Sequence, residues 1–192
     1  MPEKTKVLLV EDDLDFVFLI RQMIKQEQSL EFLAYAENRA DAVTLAKELS
    51  PDIVLMDLSL SKSELDGIEA AREIRIVTAA KILLLTSFEQ PEIIIKASKR
   101  AFASGYVFKS QCQTLPDIVR KTAISHTPQE QFIKELVLQE LSPAERNVLD
   151  TILGGGNSTQ STMKTVANQK TNIFKKLGLK NTNELVHIFK DW

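Results

Sequence analysis

Four short apolar runs, each ending on polar chemistry, constrain this chain more than anything else in it. Val7 to Val10 leads into Glu11, Asp12 and Asp13; Ile53 to Met56 into Asp57; Ile82 to Leu85 into Thr86; Tyr106 to Phe108 into Lys109. Continuous apolar runs of this length, separated by helical stretches, read as parallel strands buried on both faces. In open α/β sheets the ligand site lies outside the carboxyl ends of such strands, so the polar residues converge on one sheet edge. Clustered carboxylates repel one another unless a hard cation neutralises them. Carboxylates, a hydroxyl and an ammonium at one edge therefore define a cation and phosphoryl site, with Mg2+ as the natural ion.

Between the runs the periodicity is helical. Asp15 to Glu27 carries Phe16, Leu19, Ile20, Met23 and Ile24 on one face, Phe32 to Ala36 is a second strand, and Ala40 to Leu49 is a second helix that Pro51 stops. A loop from Leu58 to Asp66 precedes a helix through Gly67, Ile68, Ala71 and Ile74, and Pro91 opens the fourth helix at its first turn. With right-handed crossovers, five parallel strands take the flavodoxin-like order 2-1-3-4-5.

The segments VLLVEDD (7 to 13), DIVLMDL (52 to 58), ILLLTS (82 to 87) and GYVFKS (105 to 110) resemble, in order and spacing, the receiver domain of two-component response regulators, over residues 1–124. The resemblance implies that Asp57 is the phosphoacceptor, charged by a sensor histidine kinase. It implies that Asp12 and Asp13 hold Mg2+ with Asp57, the backbone carbonyl of Ser59 completing the metal site. It further implies that Thr86 hydrogen-bonds a phosphoryl oxygen, that Lys109 pairs with the phosphoryl charge, and that Tyr106 changes rotamer on activation. The chain departs from that pattern after Asp57: Ser61 stands where a proline is usual, and Gly67 lies two positions later than the usual glycine. Ser87 replaces a small apolar residue, and Phe88 beside it is placed to shield an acyl phosphate from water.

The net charge of -2 hides an asymmetry. Met1 to Ser142 carries 17 Lys and Arg against 22 Asp and Glu, giving -5, and Pro143 to Trp192 carries 7 against 4, giving +3. A basic half joined to an acidic one points to a polyanionic partner for the second. Residues 125–140 read as a linker helix: His126 and Pro128 mark a break, and Phe132, Ile133, Leu136 and Val137 follow at helical spacing. Ser142, Pro143 and Glu145 then form a helix start with a capping box.

LSPAERNVLDTIL (141 to 153) and TVANQKTNIFKKLGLKNTNELVHIF (165 to 189) resemble the LuxR-type helix-turn-helix of NarL/FixJ regulators, a small all-α domain over 141–192. Leu141, Ala144, Val148, Leu149 and Ile152 line one face of its first helix, and Val166, Ile173, Phe174 and Leu177 one face of its second, which Gly178 ends. By this resemblance Lys164, Thr165, Asn168, Gln169 and Lys170 meet DNA from the first half of a recognition helix, and Lys176 adds phosphate attraction; on charge alone they form a solvated polar face. The scaffold helix expected between Gly154 and Lys164 is missing, since that span is polar and only Met163 in it is apolar. A turn or loop replaces it, and Ala167 stands where a lysine is usual.

No stretch approaches the roughly 18 apolar residues a membrane span needs, and MPEKTK lacks the apolar core of a signal peptide, so a cytoplasmic protein is expected. Cys112 is the single cysteine and reads as a bystander; His126 and His187 read as surface or partly buried residues. The leading function is a phosphorylation-switched transcription regulator that dimerises on DNA. One alternative is a signalling adaptor whose second domain binds protein. Another, a dehalogenase-type phosphatase, wants an aspartate two residues after Asp57, where Ser59 stands.

Overall fold

The computed structural model describes residues 3–60, 66–88, 90–155, 163–190 and 192. Ser61 and most of the loop after Leu58 lie outside the described residues, as do 156–162 of the shortened span before Lys164. The chain divides into two compact units, Met1–Ile133 and Lys134–Trp192.

In the first unit strands and helices alternate: β1 (Thr5–Val10), α1 (Leu14–Gln26), β2 (Leu30–Ala36), α2 (Arg39–Leu49), β3 (Ile53–Asp57), α3 (Asp66–Val77), β4 (Lys81–Thr86), α4 (Pro91–Ala101), β5 (Gly105–Phe108) and α5 (Leu115–Ile124). All strand pairs are parallel, in the expected order β2-β1-β3-β4-β5. Alternation along each strand sorts its side chains onto two faces. Leu8, Val10, Val54, Met56, Ile82 and Leu84 pack with Ala42, Ala46, Ala71, Ile74 and Ala97 from α2, α3 and α4. Val7, Leu9, Ile53, Leu55, Leu83 and Leu85 pack with Val17, Ile20 and Ile24 of α1 and with Leu115 and Val119 of α5. Both faces are covered, which is why β1 and β3 read as unbroken apolar runs. Each buried Leu or Ile contributes about 1.5–3 kcal/mol, so this sandwich holds the strand ends that carry the polar residues in fixed positions.

Element ends follow local chemistry. Asn38 caps α2 by accepting from Asp41 N at 3.0 Å, and Pro91 occupies the first turn of α4. Helices α2 and α4 end on Ser50 (φ 47°) and Phe102 (φ 51°). A left-handed phenylalanine costs roughly 1–2 kcal/mol; its ring is buried, with the Arg72 guanidinium 4.8 Å from its centroid, and that burial offsets the cost.

One glycine matters to the site. A Cβ on Gly67 would lie 2.2 Å from the carbonyl oxygen of Asp57 and 3.0 Å from Leu58 Cα, both backbone atoms that cannot step aside cheaply. The first turn of α3 therefore rests directly on the end of β3. We expect Gly67→Ala to destabilise the unit by about 1–3 kcal/mol, the usual cost of overpacking, and to slow any chemistry at Asp57. A denaturant melt with an unchanged midpoint would contradict this.

Helix α6 (Pro128–Leu138) begins in the first unit and ends in the second. Ile133 and Val137 are buried, whereas Phe132 is 62% exposed. The second unit continues with α7 (Pro143–Ile152), α8 (Met163–Leu177) and α9 (Thr182–Phe189). The capping box is present: Ser142 Oγ accepts from Glu145 N at 3.3 Å and Ser142 N donates to Glu145 Oε2 at 2.7 Å. Its core is built from Leu141, Val148, Leu149, Ile173, Leu177, Leu185, Ile188 and Phe189. Ala144, expected on the buried face of α7, is exposed, and Glu145 is buried in its stead, because the box draws its carboxylate inward. Gly178 (φ 64°) ends α8 as expected. Of the apolar positions read for α8, Ile173 and Leu177 are buried while Val166 and Phe174 are only half-buried, and Met163 at its start is 93% exposed. Cover on this helix is concentrated at its C-terminal end.

Candidate functional site

The polar ends of β1, β3, β4 and β5 meet at one edge of the sheet. Glu11 follows β1 and is fully buried; Asp57 closes β3 and is 2% exposed; Thr86 closes β4 and is 1% exposed. Lys109 follows β5, its ammonium 2.6 Å from Glu11 Oε2 and 3.2 Å from Asp57 Oδ2, and 4.8 Å from the centroid of the Phe16 ring. One cation thus bridges two buried carboxylates over an aromatic face.

The carboxylates gathered here are not the pair read from the sequence. Oxygens of Glu11, Asp12 and Asp57 lie within 4.8 Å of one another. Asp13 is committed elsewhere: its Oδ1 accepts from Asp15 N at 2.9 Å and from Phe16 N at 3.3 Å, which makes it the N-cap of α1. The structure thus brings Glu11 and Asp12 to Asp57, while Asp13 Oδ1 is engaged as a helix cap. Asp13 N in turn donates to Glu11 Oε1 at 3.2 Å, fixing the buried carboxylate from its other side.

Burial raises the pKa of Glu11 above its ordinary value, against the pull of Lys109, and the charge of Asp57 adds to the rise. Burial likewise raises that of Asp57, although Lys109 and the Ser59 backbone amide work the other way. For Lys109 burial alone would lower the pKa, but the hydrogen bond to Glu11 and the charge of Asp57 outweigh it and the net direction is upward. The site is thus short of positive charge. Asp57 Oδ1 is buried with no hydrogen-bond partner among the described residues. Hard oxygen donors in excess of the cations beside them, one of them unpartnered, fit a divalent metal such as Mg2+.

Thr86 Oγ1 accepts from Phe88 N at 2.9 Å, leaving its own proton available to a ligand. Phe88 is half-buried and packs with Tyr106 against the face of the sheet that holds Met56 and Leu58, while Ser87 is exposed. Tyr106 is half-buried on β5, its ring edge-on to Phe108 at 5.7 Å. The Ser59 side chain is exposed.

In the second unit Lys164, Thr165 and Asn168 are exposed and Gln169 and Lys170 half-buried, all on the first two turns of α8. Lys176 is not a free surface cation, since its Nζ lies 2.6 Å from the buried Glu145 Oε2.

A five-stranded parallel sandwich with an acidic pocket, a hydroxyl and a lysine at its carboxyl edge is the architecture of a receiver domain. The response regulator receiver domain family matches residues 7–120, and the chain belongs to the two-component response regulators, with a helical region after the receiver. It is 29% identical over 205 residues to the transcriptional regulatory protein YdfI of Bacillus subtilis, a match that covers 95% of this chain and 94% of that one. A LuxR-family two-component response regulator from Aurantimonas sp. SI85-9A1 is 31% identical, with a TM-score of 0.58, covering 72% of this chain and 98% of that one. RcsB from Salmonella enterica serovar Typhimurium, in a structure bound to the promoter rprA with the phosphomimetic BeF3-, shares the fold at 22% identity and a TM-score of 0.57, over 99% of this chain and all of that one. Among the described residues no helix is long and apolar enough to cross a membrane.

Proposed function

We propose that this protein is switched by phosphorylation of Asp57 by a sensor histidine kinase and acts on transcription in the cytoplasm by binding promoter DNA through α8. The observation that carries the reading is the bridge of Lys109 to both Glu11 and Asp57 beside the unpartnered Asp57 Oδ1. Asp57 attacks the phosphorus of a phosphohistidine; the new O–P bond forms as the P–N bond breaks, and its electron pair leaves with the imidazole. Lys109 balances the charge of about -1.5 to -2 that the phosphoryl group brings, and the Thr86 hydroxyl donates to one of its oxygens. Glu11, Asp12, Asp57 and the Ser59 carbonyl are the groups that would hold Mg2+, which when bound neutralises charge on the transferring phosphoryl oxygens. Asp13 acts one step away, as the cap that sets the start of α1. Turnover is limited to slow loss of the phosphoryl group, as suits a signalling protein.

The charge shortfall has a measurable sign. Because the folded pKa of Glu11 and Asp57 lies above the ordinary 4.5 and 3.8, the folded state keeps protons that the unfolded chain has released, and stability falls as pH rises out of that range. A divalent cation binds the ionised form. Mg2+ at tenfold its dissociation constant should then stabilise the unit by about 1.4 kcal/mol at pH 7 and by less at pH 5; equal melting shifts at the two pH values would refute the site.

For the second unit, Lys164, Thr165, Asn168, Gln169 and Lys170 are proposed to meet DNA, with RcsB on its promoter as the supporting likeness, and phosphorylation to favour a homodimer on paired half-sites. Thin cover over the start of α8 supports weak, strongly salt-dependent binding by a monomer. The adaptor reading draws on the same exposed start of α8. Titration of promoter fragments with the phosphorylated chain separates the two, since an adaptor shows no DNA retention at any salt concentration.

A further inference from the structure

Tyr106 sits on β5, the last strand of the sheet, whose outer edge has no strand beside it among the described residues. Open edges leave backbone N–H and C=O groups to be satisfied in some other way. At Tyr106 a single side chain does so: Gln129 Oε1 accepts from Tyr106 N at 3.1 Å and Gln129 Nε2 donates to Tyr106 O at 3.4 Å. The carboxamide does for one residue what a sixth strand would do for four. Gly105 makes room for it, since a Cβ there would meet Gln129 Oε1 at 2.4 Å.

Gln129 lies in the first turn of α6, and that turn is anchored independently. Thr127 Oγ1 accepts from Glu130 N at 3.1 Å. The Glu130 carboxylate, 1% exposed, pairs with Lys81 at 3.3 Å, and the same ammonium donates to the carbonyls of Thr122 and Ser125 at the end of α5. His126 Nδ1 lies 3.1 Å from Glu130 Oε2. Gln129 is thus a fixed post, and it grips both peptide groups of Tyr106, the aromatic that the receiver resemblance implies changes rotamer on activation. Which rotamers a ring can take depends on the φ and ψ of its residue, so this grip sets the Tyr106 ring as well. The ring also lines a groove of about 580 Å3 shared with Phe108, Ile118, His126 and Gln129, which gives it space to swing.

We propose that Gln129 is a positioning residue that holds Tyr106 in its resting setting, and that activation works against this clasp. The idea rests on the reading of Asp57 as phosphoacceptor. Coupling is reciprocal: if the phosphorylated state loosens the clasp, loosening the clasp favours the phosphorylated state by the same factor. The test is binding of beryllium fluoride, a phosphoryl mimic, with Mg2+ to the full chain and to Gln129→Leu, Gln129→Glu and Gly105→Ala. Each hydrogen bond lost should tighten binding about fivefold, the equivalent of roughly 1 kcal/mol, and speed exchange of the Tyr106 amide. Gln129→Glu, which still accepts from Tyr106 N but cannot donate to its carbonyl, should fall between wild type and Gln129→Leu. Gly105→Ala displaces the carboxamide without altering Gln129 and should act in the same direction. A merely structural role would lower the melting temperature and leave the affinity alone. Unchanged affinity in both Gln129→Leu and Gly105→Ala overturns the clasp, whereas a wild-type chain that binds no beryllium fluoride overturns the Asp57 reading itself.

Discussion

Asp57→Asn should lose all labelling by a small-molecule phosphodonor and gain stability in the same stroke. The amide keeps the volume but is no nucleophile, and with no acyl phosphate the switch stays at rest. Stability moves the other way because burial raises the Asp57 pKa above 3.8: at neutral pH the folded chain carries a charge that it would rather not hold. Removing it should stabilise the chain by about 0.5–2 kcal/mol, the common yield of a single stabilising substitution. The gain should shrink as pH falls toward the ordinary carboxylate range, where the wild-type group is protonated. Phosphodonor labelling and denaturant melts at pH 7 and pH 5 check both halves. Stoichiometric labelling of the variant would sink the phosphoacceptor assignment, and a loss of stability at pH 7 would sink the electrostatic account.

The second large effect is expected at Glu145. Its carboxylate is 3% exposed and accepts from Ser142 N and Lys176 Nζ, so Glu145→Ala removes a helix cap and the tie between α7 and α8 together. The Lys176 side chain is 40% exposed and stays solvated when the pair is lost, so the pair counts for about 1 kcal/mol or less and the cap for about 0.5–2 kcal/mol. A unit of this size holds roughly 3–9 kcal/mol in total, so a substantial share of it is lost. Although burial works to raise it, Lys176 and the Ser142 contacts bring the Glu145 pKa below 4.5, so its contribution is present above that value and is lost as pH falls through the depressed pKa. Hydrogen exchange of the Ile173 and Leu177 amides measures the effect, and protection equal to wild type would contradict it. Because Lys176 is engaged inside the unit, Lys176→Ala should act mainly on this stability, while Lys164→Ala should lower the salt slope of DNA binding and leave the melt unchanged.

The strands β1, β3 and β4 were legible because burial on both faces leaves few polar residues to interrupt them, while β5, half-buried on one face, was legible from its short apolar run Tyr106 to Phe108. The edge strand β2 begins at Leu30, two residues before the expected start at Phe32, because the exposed Glu31 separates the buried Leu30 from the apolar run that follows. Four acids stand within Glu11 to Asp15, and composition cannot say which of them share a pocket. An aspartate directly before a helix start is a preferred N-cap, and that rule assigns Asp13 to α1 and leaves Glu11 and Asp12 for the site. Gly178 announced the end of α8, whereas Ser50 and Phe102 ended helices without a glycine to mark them. The box Ser142–Glu145 was readable, but its ion pair with Lys176 spans 31 positions and depends on tertiary packing. The role of Gln129 was equally hidden, though Thr127 and Glu130 carry the same capping spacing and point to a helix start beside β5.

Trp192 is the sole tryptophan and Tyr35 and Tyr106 the only tyrosines. The indole is 3% exposed in the second unit, 5.3 Å from the Phe189 ring, while both phenols belong to the first. The protein therefore has two intrinsic optical channels that divide along its own architecture. Indole emission follows the melting of the helical unit, and phenol absorbance follows the sheet, with one of its two chromophores on the switch strand. An unlabelled chain can thus show in one experiment whether phosphorylation changes the receiver alone or both units.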